Sequence, residues 1–189
     1  MAANDIIYGI EKLEFAPAYD DIANAPASGD WRWVENLAEG SVSYVNNEDT
    51  STPFIPEDKT VPIFTAKTPG DPDTFNFALL EFSQQNFADL FDVDYDAATS
   101  TTTVMADRKQ ASLAIRITTR PANGAKKVIT YPNTSVSSTL ENPFTKDGLV
   151  QIAAVADILA FKLADGRDAK FIMQKVTAEG ATIDSTPAG

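Results

Sequence analysis

The chain has 189 residues, 43% of them hydrophobic, enough for one domain with a substantial core. It contains no cysteine and no histidine, which excludes disulfides, thiolate metal sites, thiol nucleophiles and the commonest general base. Lys and Arg number 15 against 27 Asp and Glu, and a formal net charge of −12 argues against tight binding to phosphate backbones.

That acidity has two readings: solubility through self-repulsion, or a surface that must not hold nucleic acid. No apolar run reaches membrane-spanning length, and the N-terminus lacks the basic-then-apolar form of a signal peptide. A soluble protein made in the cytoplasm, with no membrane partner, is the expectation.

In chain order, residues 6–15 set Leu13 and Phe15 against Lys12 and Glu14, a first strand with one wet side. Residues 16–30 read as a loop, with two prolines and several small or acidic residues. A strand from about Gly40 opposes Val42 and Tyr44 to Ser41 and Ser43, and a strand bearing Trp31 and Trp33 is a candidate before it. Residues 46–61 form a long polar, acidic loop with one apolar pair, Phe54 and Ile55, between Pro53 and Pro56. Such a loop reads as an arm that docks onto something, or as a loop folded back on its own domain.

A short strand, Pro62 to Lys67, leads through a turn to the segment that organises the core. Phe75, Phe77 and Leu79 alternate as in a strand with one buried face. Ser83 then stands as an N-cap, and Phe87, Leu90 and Phe91 gather on one side of a short helix. Two turns cannot hold a helix alone, so the aromatics must pin it to a sheet.

A threonine-rich strand follows at 101–106, and Leu113, Ile115 and Ile117 mark a stronger one. Asn123-Gly124 supplies a tight β-connection, after which residues 128–131 return antiparallel. Ser135, Ser137 and Thr139 then alternate with Val136, Ser138 and Leu140 in another half-wet strand. Residues 148–163 fit a helical spacing too, but the alternation of Leu159, Phe161 and Leu163 before the Asp165-Gly166 turn favours strands. Residues 169–176 alternate again through Phe171 and Met173, and 178–189 form a small polar tail expected to be flexible. Eight to ten strands and one short helix predict an all-β fold, an antiparallel β-sandwich or barrel in one domain spanning 1–189.

Sequence motifs give no catalytic residue, cofactor site or metal site. Asp92, Asp94 and Asp96 open like a calcium loop, but Ala97 replaces the turn glycine and Thr103 the bidentate glutamate. A solvated strand edge or turn is the preferred reading. Trp31 and Trp33 could stack a sugar or a base, although core or subunit contacts are the commoner use of such a pair.

Tyr8-Gly-Ile-Glu-Lys-Leu-Glu-Phe-Ala-Pro17 leads to a strand ending Gly40-Ser-Val-Ser-Tyr-Val45 and an acidic loop. Phe77-Ala-Leu-Leu-Glu-Phe82 precedes Asn86-Phe-Ala-Asp-Leu-Phe91, with Ser135-Val-Ser-Ser-Thr-Leu140, Lys146-Asp-Gly-Leu149 and Asp165-Gly166 later. This order resembles that of bacteriophage tail tube (major tail) proteins, over most of the chain except residues 16–35. The resemblance implies a non-enzymatic virion protein forming homohexameric rings, whose strands close into one inner barrel. Stacked rings meet other tail proteins and conduct DNA during genome ejection, without binding it specifically. It also implies that the loop after the second strand reaches the neighbouring ring, here through Glu48, Asp49, Phe54, Ile55, Glu57 and Asp58.

Closing a sheet across subunits would cover edge strands left open in one chain. Four strands from each of six copies would make a barrel roughly 115 Å around before tilt, wide enough for duplex DNA. An acidic bore would let DNA slide, and Ser41, Ser43, Ser135, Ser137 and Thr139 are candidates for that lumen face, or for the ordinary solvent face of a sandwich. Two alternatives remain: a tube subunit of a contractile tail or secretion-type injection device, and a monomeric carbohydrate-binding β-sandwich using Trp31 and Trp33.

Overall fold

A computed structural model describes residues 9–91, 93–104, 110–141 and 149–179. Tyr8, Asp92, residues 146–148 and the tail from 180 onward lie outside these. The fold is all-β and antiparallel, with one α-helix among the described residues.

Seven strands build the main path of the sheet. They are β1 (Ile10–Pro17), β2 (Arg32–Val34), β3 (Ser43–Val45), β6 (Thr74–Leu79), β9 (Ala111–Thr119), β10 (Ala125–Glu141) and β11 (Gln151–Ile158), in the order β2-β1-β9-β10-β11-β6-β3. An eighth, β14 (Ile172–Thr177), pairs with the first half of β10. Three hairpins lie off this sheet: β4 (Thr50–Phe54) with β5 (Phe64–Thr68), β7 (Asp94–Asp96) with β8 (Thr101–Thr103), and β12 (Phe161–Lys162) with β13 (Asp168–Ala169).

The two ends of the path meet. Beyond β2 the chain crosses to the far edge, where the Ala38 amide donates to the Ala78 carbonyl (2.8 Å) and the Leu80 amide to that of Asn36 (2.8 Å). Leu37 and Leu79 form an antiparallel bridge there. The sheet therefore rolls into a barrel within one chain. Closure works because one short segment, with β2 on β1 and residues 36–45 on β6, serves both edges.

The barrel interior is filled by the residues whose alternation marked them. Phe75, Phe77 and Leu79 face Ala156, Ala154 and Ile152 across β11, so small side chains leave room for the rings. Leu13 and Phe15 of β1 pair with Ile117 and Ile115 of β9 in the same cluster. Helix α1 (Gln84–Phe91) packs on β9 and β10 and sends Leu90 and Phe91 into that core. Ser83 caps it as expected, its hydroxyl accepting from the Asn86 amide at 3.1 Å.

Local turns follow their sequences. Asn123 (φ 52°) and Gly124 (φ 76°) turn β9 into β10, both in the left-handed region such a two-residue connection requires. β10 runs 17 residues because a register shift between Tyr131 and Thr134, spanning Pro132, lets its two halves take different partners.

Several expectations need correction. The strand expected from Gly40 is only Ser43–Val45, because the residues before it are used in closing the barrel. The acidic loop of 46–61 contains β4, whose partner β5 comes from the strand expected separately at 62–67. The outer face of β1 is not wet at Glu14, which is 4% exposed: Trp33 and Arg116 flank it on the neighbouring strands, and Lys12 and Arg116 bond its carboxylate. The strand expected at 169–176 is β14 from Ile172, with Met173 exposed and Val176 buried, and Phe171 just before it rests its ring 5.8 Å from that of Tyr131.

Phe77 tests the core directly, since its ring contacts those of Phe15 and Phe75, each with centroids 5.6 Å away. Phe77→Ala should lower unfolding free energy by about 3–5 kcal/mol in urea titrations, with an unchanged slope if the barrel otherwise stays intact.

Candidate functional site

The β4–β5 hairpin is an arm. All five residues of β4 and four of five in β5 are exposed, although the arm carries the large apolar side chains Phe54, Ile55, Val61, Ile63 and Phe64. Each of these is more than half exposed, and the Phe54 and Phe64 rings touch only at the arm's own rung, 5.9 Å between centroids. A folded chain gains nothing by holding such a cluster in water, which makes the arm a candidate contact surface. Glu57 and Asp58 sit at the turn, where the Lys59 amide donates to the Pro56 carbonyl.

The arm's base is tied to the barrel by hydrogen bonds. Asp73, 1% exposed, accepts from the Asn47 amide (3.0 Å), the Tyr44 hydroxyl (2.9 Å) and the Lys170 ammonium (2.7 Å). The Asn47 side chain donates to the Pro72 carbonyl across the same base. Above it the Gly70 amide donates to Asp49 (3.3 Å), and a Cβ at Gly70 would lie 2.6 Å from the Glu48 carbonyl oxygen. Burial alone would raise the Asp73 pKa, but the bonds from Lys170, Asn47 and Tyr44 together hold it below the ordinary carboxylate value. The Tyr44 hydroxyl is pushed up to about 12, first by burial of the phenol oxygen and then by the Asp73 carboxylate.

The candidate lumen residues divide. Ser43, Asn76, Val155 and Ser137 are cross-strand neighbours in one row over β3, β6, β11 and β10. Ser135 lies beside Asp157 and Thr74 in the next row, and Thr139 beside Ala153 and Ala78 in a third. Four of the five therefore share the outer face of one sheet. Its paired rows hold only two charged side chains among the described residues, Asp157 and Glu141, both acidic. Ser41 does not join them: its hydroxyl accepts from the Ala78 amide (3.0 Å) and donates to the Ala38 carbonyl (2.7 Å) at the barrel seam.

On the opposite flank, Glu14 bonds Lys12 (2.6 Å) and Arg116 (2.8 Å). These bonds hold its carboxyl below the usual range although burial, the largest single influence, acts to raise it. The Arg116 guanidinium lies 4.2 Å from the centre of the Trp31 ring, and Trp31 packs on the Ala16, Tyr19 and Ala114 cluster. Trp31 is thus spent on the fold and only Trp33, 52% exposed, remains accessible. Two tryptophans do not form an open sugar platform here.

Asp94 and Asp96 sit on the β7–β8 hairpin, where Asp96 accepts from the Ala98 amide and the Thr99 hydroxyl. This is the turn reading, and no group of three or more potential metal ligands occurs among the described residues. No described helix is long and apolar enough to cross a membrane.

Sequence reasoning missed the Asp73–Lys170 pair, separated by 97 positions, for which no local pattern exists. It also missed β5 as half of the arm. The mirrored apolar pairs Phe54-Ile55 and Ile63-Phe64 around Pro56-Glu57-Asp58 were the signal. No family model matches the chain, and a comparison with curated proteins returns no match.

Asp73→Asn should cost about 1–3 kcal/mol at pH 7, leaving the amide a poor partner for Lys170. Because the folded pKa of Asp73 is depressed, its stabilisation is present above about pH 4 and disappears as pH falls through the folded value. Thermal melts at pH 7 and pH 3 should show the gap between parent and variant narrowing in acid.

Proposed function

We propose that this chain is a non-enzymatic structural subunit of the bacteriophage tail-tube type, whose activity is self-association. Copies assemble as hexameric rings, the rings stack, and DNA passes through the tube during genome ejection. The observation that carries this reading is the arm: five large apolar side chains held in water on a hairpin with a clamped base. Such a surface calls for a partner, and a protein made to polymerise supplies its own.

The outer face of β3, β6, β11 and β10 supports the same reading. Its paired rows hold Ser, Thr, Asn, Ala and Val with Asp157 and Glu141 as the charged side chains among the described residues, so they offer phosphates no counter-charge and DNA would not adhere. Ser43, Ser135, Ser137 and Thr139 line the bore in this account. The same features fit an injection tube of a contractile tail or a secretion-type device. They fit a monomeric carbohydrate binder less well, since Trp31 is occupied by Arg116.

Negative-stain microscopy of the purified chain over a range of concentrations should show rings or hollow tubes with six-fold projections. Replacing Thr50–Thr68 with a short Gly-Ser linker should leave the melting temperature within a few degrees and abolish the tubes. A parent protein that sediments as a single chain at every concentration contradicts the proposal.

A further inference from the structure

The end of the barrel away from α1 is open. A cavity of about 660 Å³ lies there, walled by Leu37, Val42, Ile117 and Ile129 above the Phe75 and Tyr131 rings. Its size falls in the range of binding pockets, and barrel mouths are a frequent place for them. Leu37, Val42 and Ile129 pack on the core yet stay only partly buried, so the cavity presents wet apolar wall. Arg120 and Glu39 lie at its lining, and neither makes an ion pair among the described residues.

We propose that this mouth is the socket for the arm tip of a second copy of the chain, an inference that rests on the assembly reading above. The tip brings what the mouth lacks. Phe54, Ile55, Val61, Ile63 and Phe64 are apolar and exposed, and a cavity of this volume accepts several such side chains. The charges are complementary as well. Glu57 and Asp58 at the arm's turn match Arg120, and Lys59 matches Glu39, and none of the three turn residues has an ion pair among the described residues.

One chain supplies knob and socket in equal number, which a small-molecule occupant would not explain. Because knob and socket are different surfaces, the contact is head-to-tail and propagates into rings or filaments. The mouth wall includes Ser43 and Tyr44, immediately before the Asn47 clamp that sets the arm's direction. An arm anchored at the rim of one mouth can thus link successive mouths.

The chain's lack of cysteine makes the test clean. Full-length Phe54→Cys protein, mixed with Val42→Cys protein and oxidised, should give the mixed disulfide dimer as the main product. Ser137→Cys serves as the control partner and should give little. Separately, Arg120→Glu should raise the concentration needed for assembly roughly tenfold, and adding Asp58→Arg should restore it.

Tubes that form normally, with cross-linking no better at Val42 than at Ser137 and no charge effect, overturn the socket and leave the tube reading standing. A small molecule found in the mouth by native mass spectrometry, blocking the Val42 cross-link, also overturns it. A chain that stays monomeric without any cross-link overturns both. A closed exchanged dimer, cross-linked between positions 54 and 42, keeps the socket and overturns the tube.

Discussion

The pairing of residues 36–38 with the end of β6 is the constraint on which the rest of the molecule depends. An antiparallel sheet of seven strands in sequence would leave two rows of unpaired amides and carbonyls, a template for indiscriminate association. Two backbone hydrogen bonds and the Ser41 hydroxyl close that seam. With the seam shut, the core cluster is enclosed from Val34 on one edge to Leu79 on the other. Outside it stand the exposed apolar side chains of the arm and the partly buried wall of the mouth.

A buried carboxylate at the arm's base is costly unless fully bonded, and Asp73 is bonded by three donors from three parts of the chain. Those bonds join β3, the arm, the start of β6 and the segment before β14, so the hairpin leaves the barrel in a fixed direction. A rigid arm loses less entropy on docking than a flexible loop would. In the proposed assembly, this would let the arm's apolar residues favour one partner geometry over general stickiness.

The sequence made the interior legible because period-two alternation is a local signal, and Phe75, Phe77, Leu79, Ile115 and Ile117 all point inward as expected. Ser83 and Asn123-Gly124 were legible for the same reason, since caps and tight turns are chemistry of a few adjacent residues. Residues 46–61 were legible as a docking arm or a loop folded back on its domain but not as part of a hairpin, because β4 carries Pro53 and lacks clean alternation. Closure of the barrel was not legible. It depends on residues 36–38 meeting 78–80 and on Ser41 being used as a backbone partner, and neither follows from any short pattern. Glu14 looked wet for a similar reason: its neighbours come from other strands, Trp33 on β2 and Arg116 on β9, the latter 102 positions away.

The central claim is that the arm is complete only against another copy of the chain. Hydrogen exchange of the β4 and β5 amides, followed as protein concentration rises, measures this most directly. The account predicts that protection of the hairpin grows with concentration while barrel amides in β9 and β11 stay unchanged. Hairpin protection that is the same in dilute and concentrated samples would contradict it.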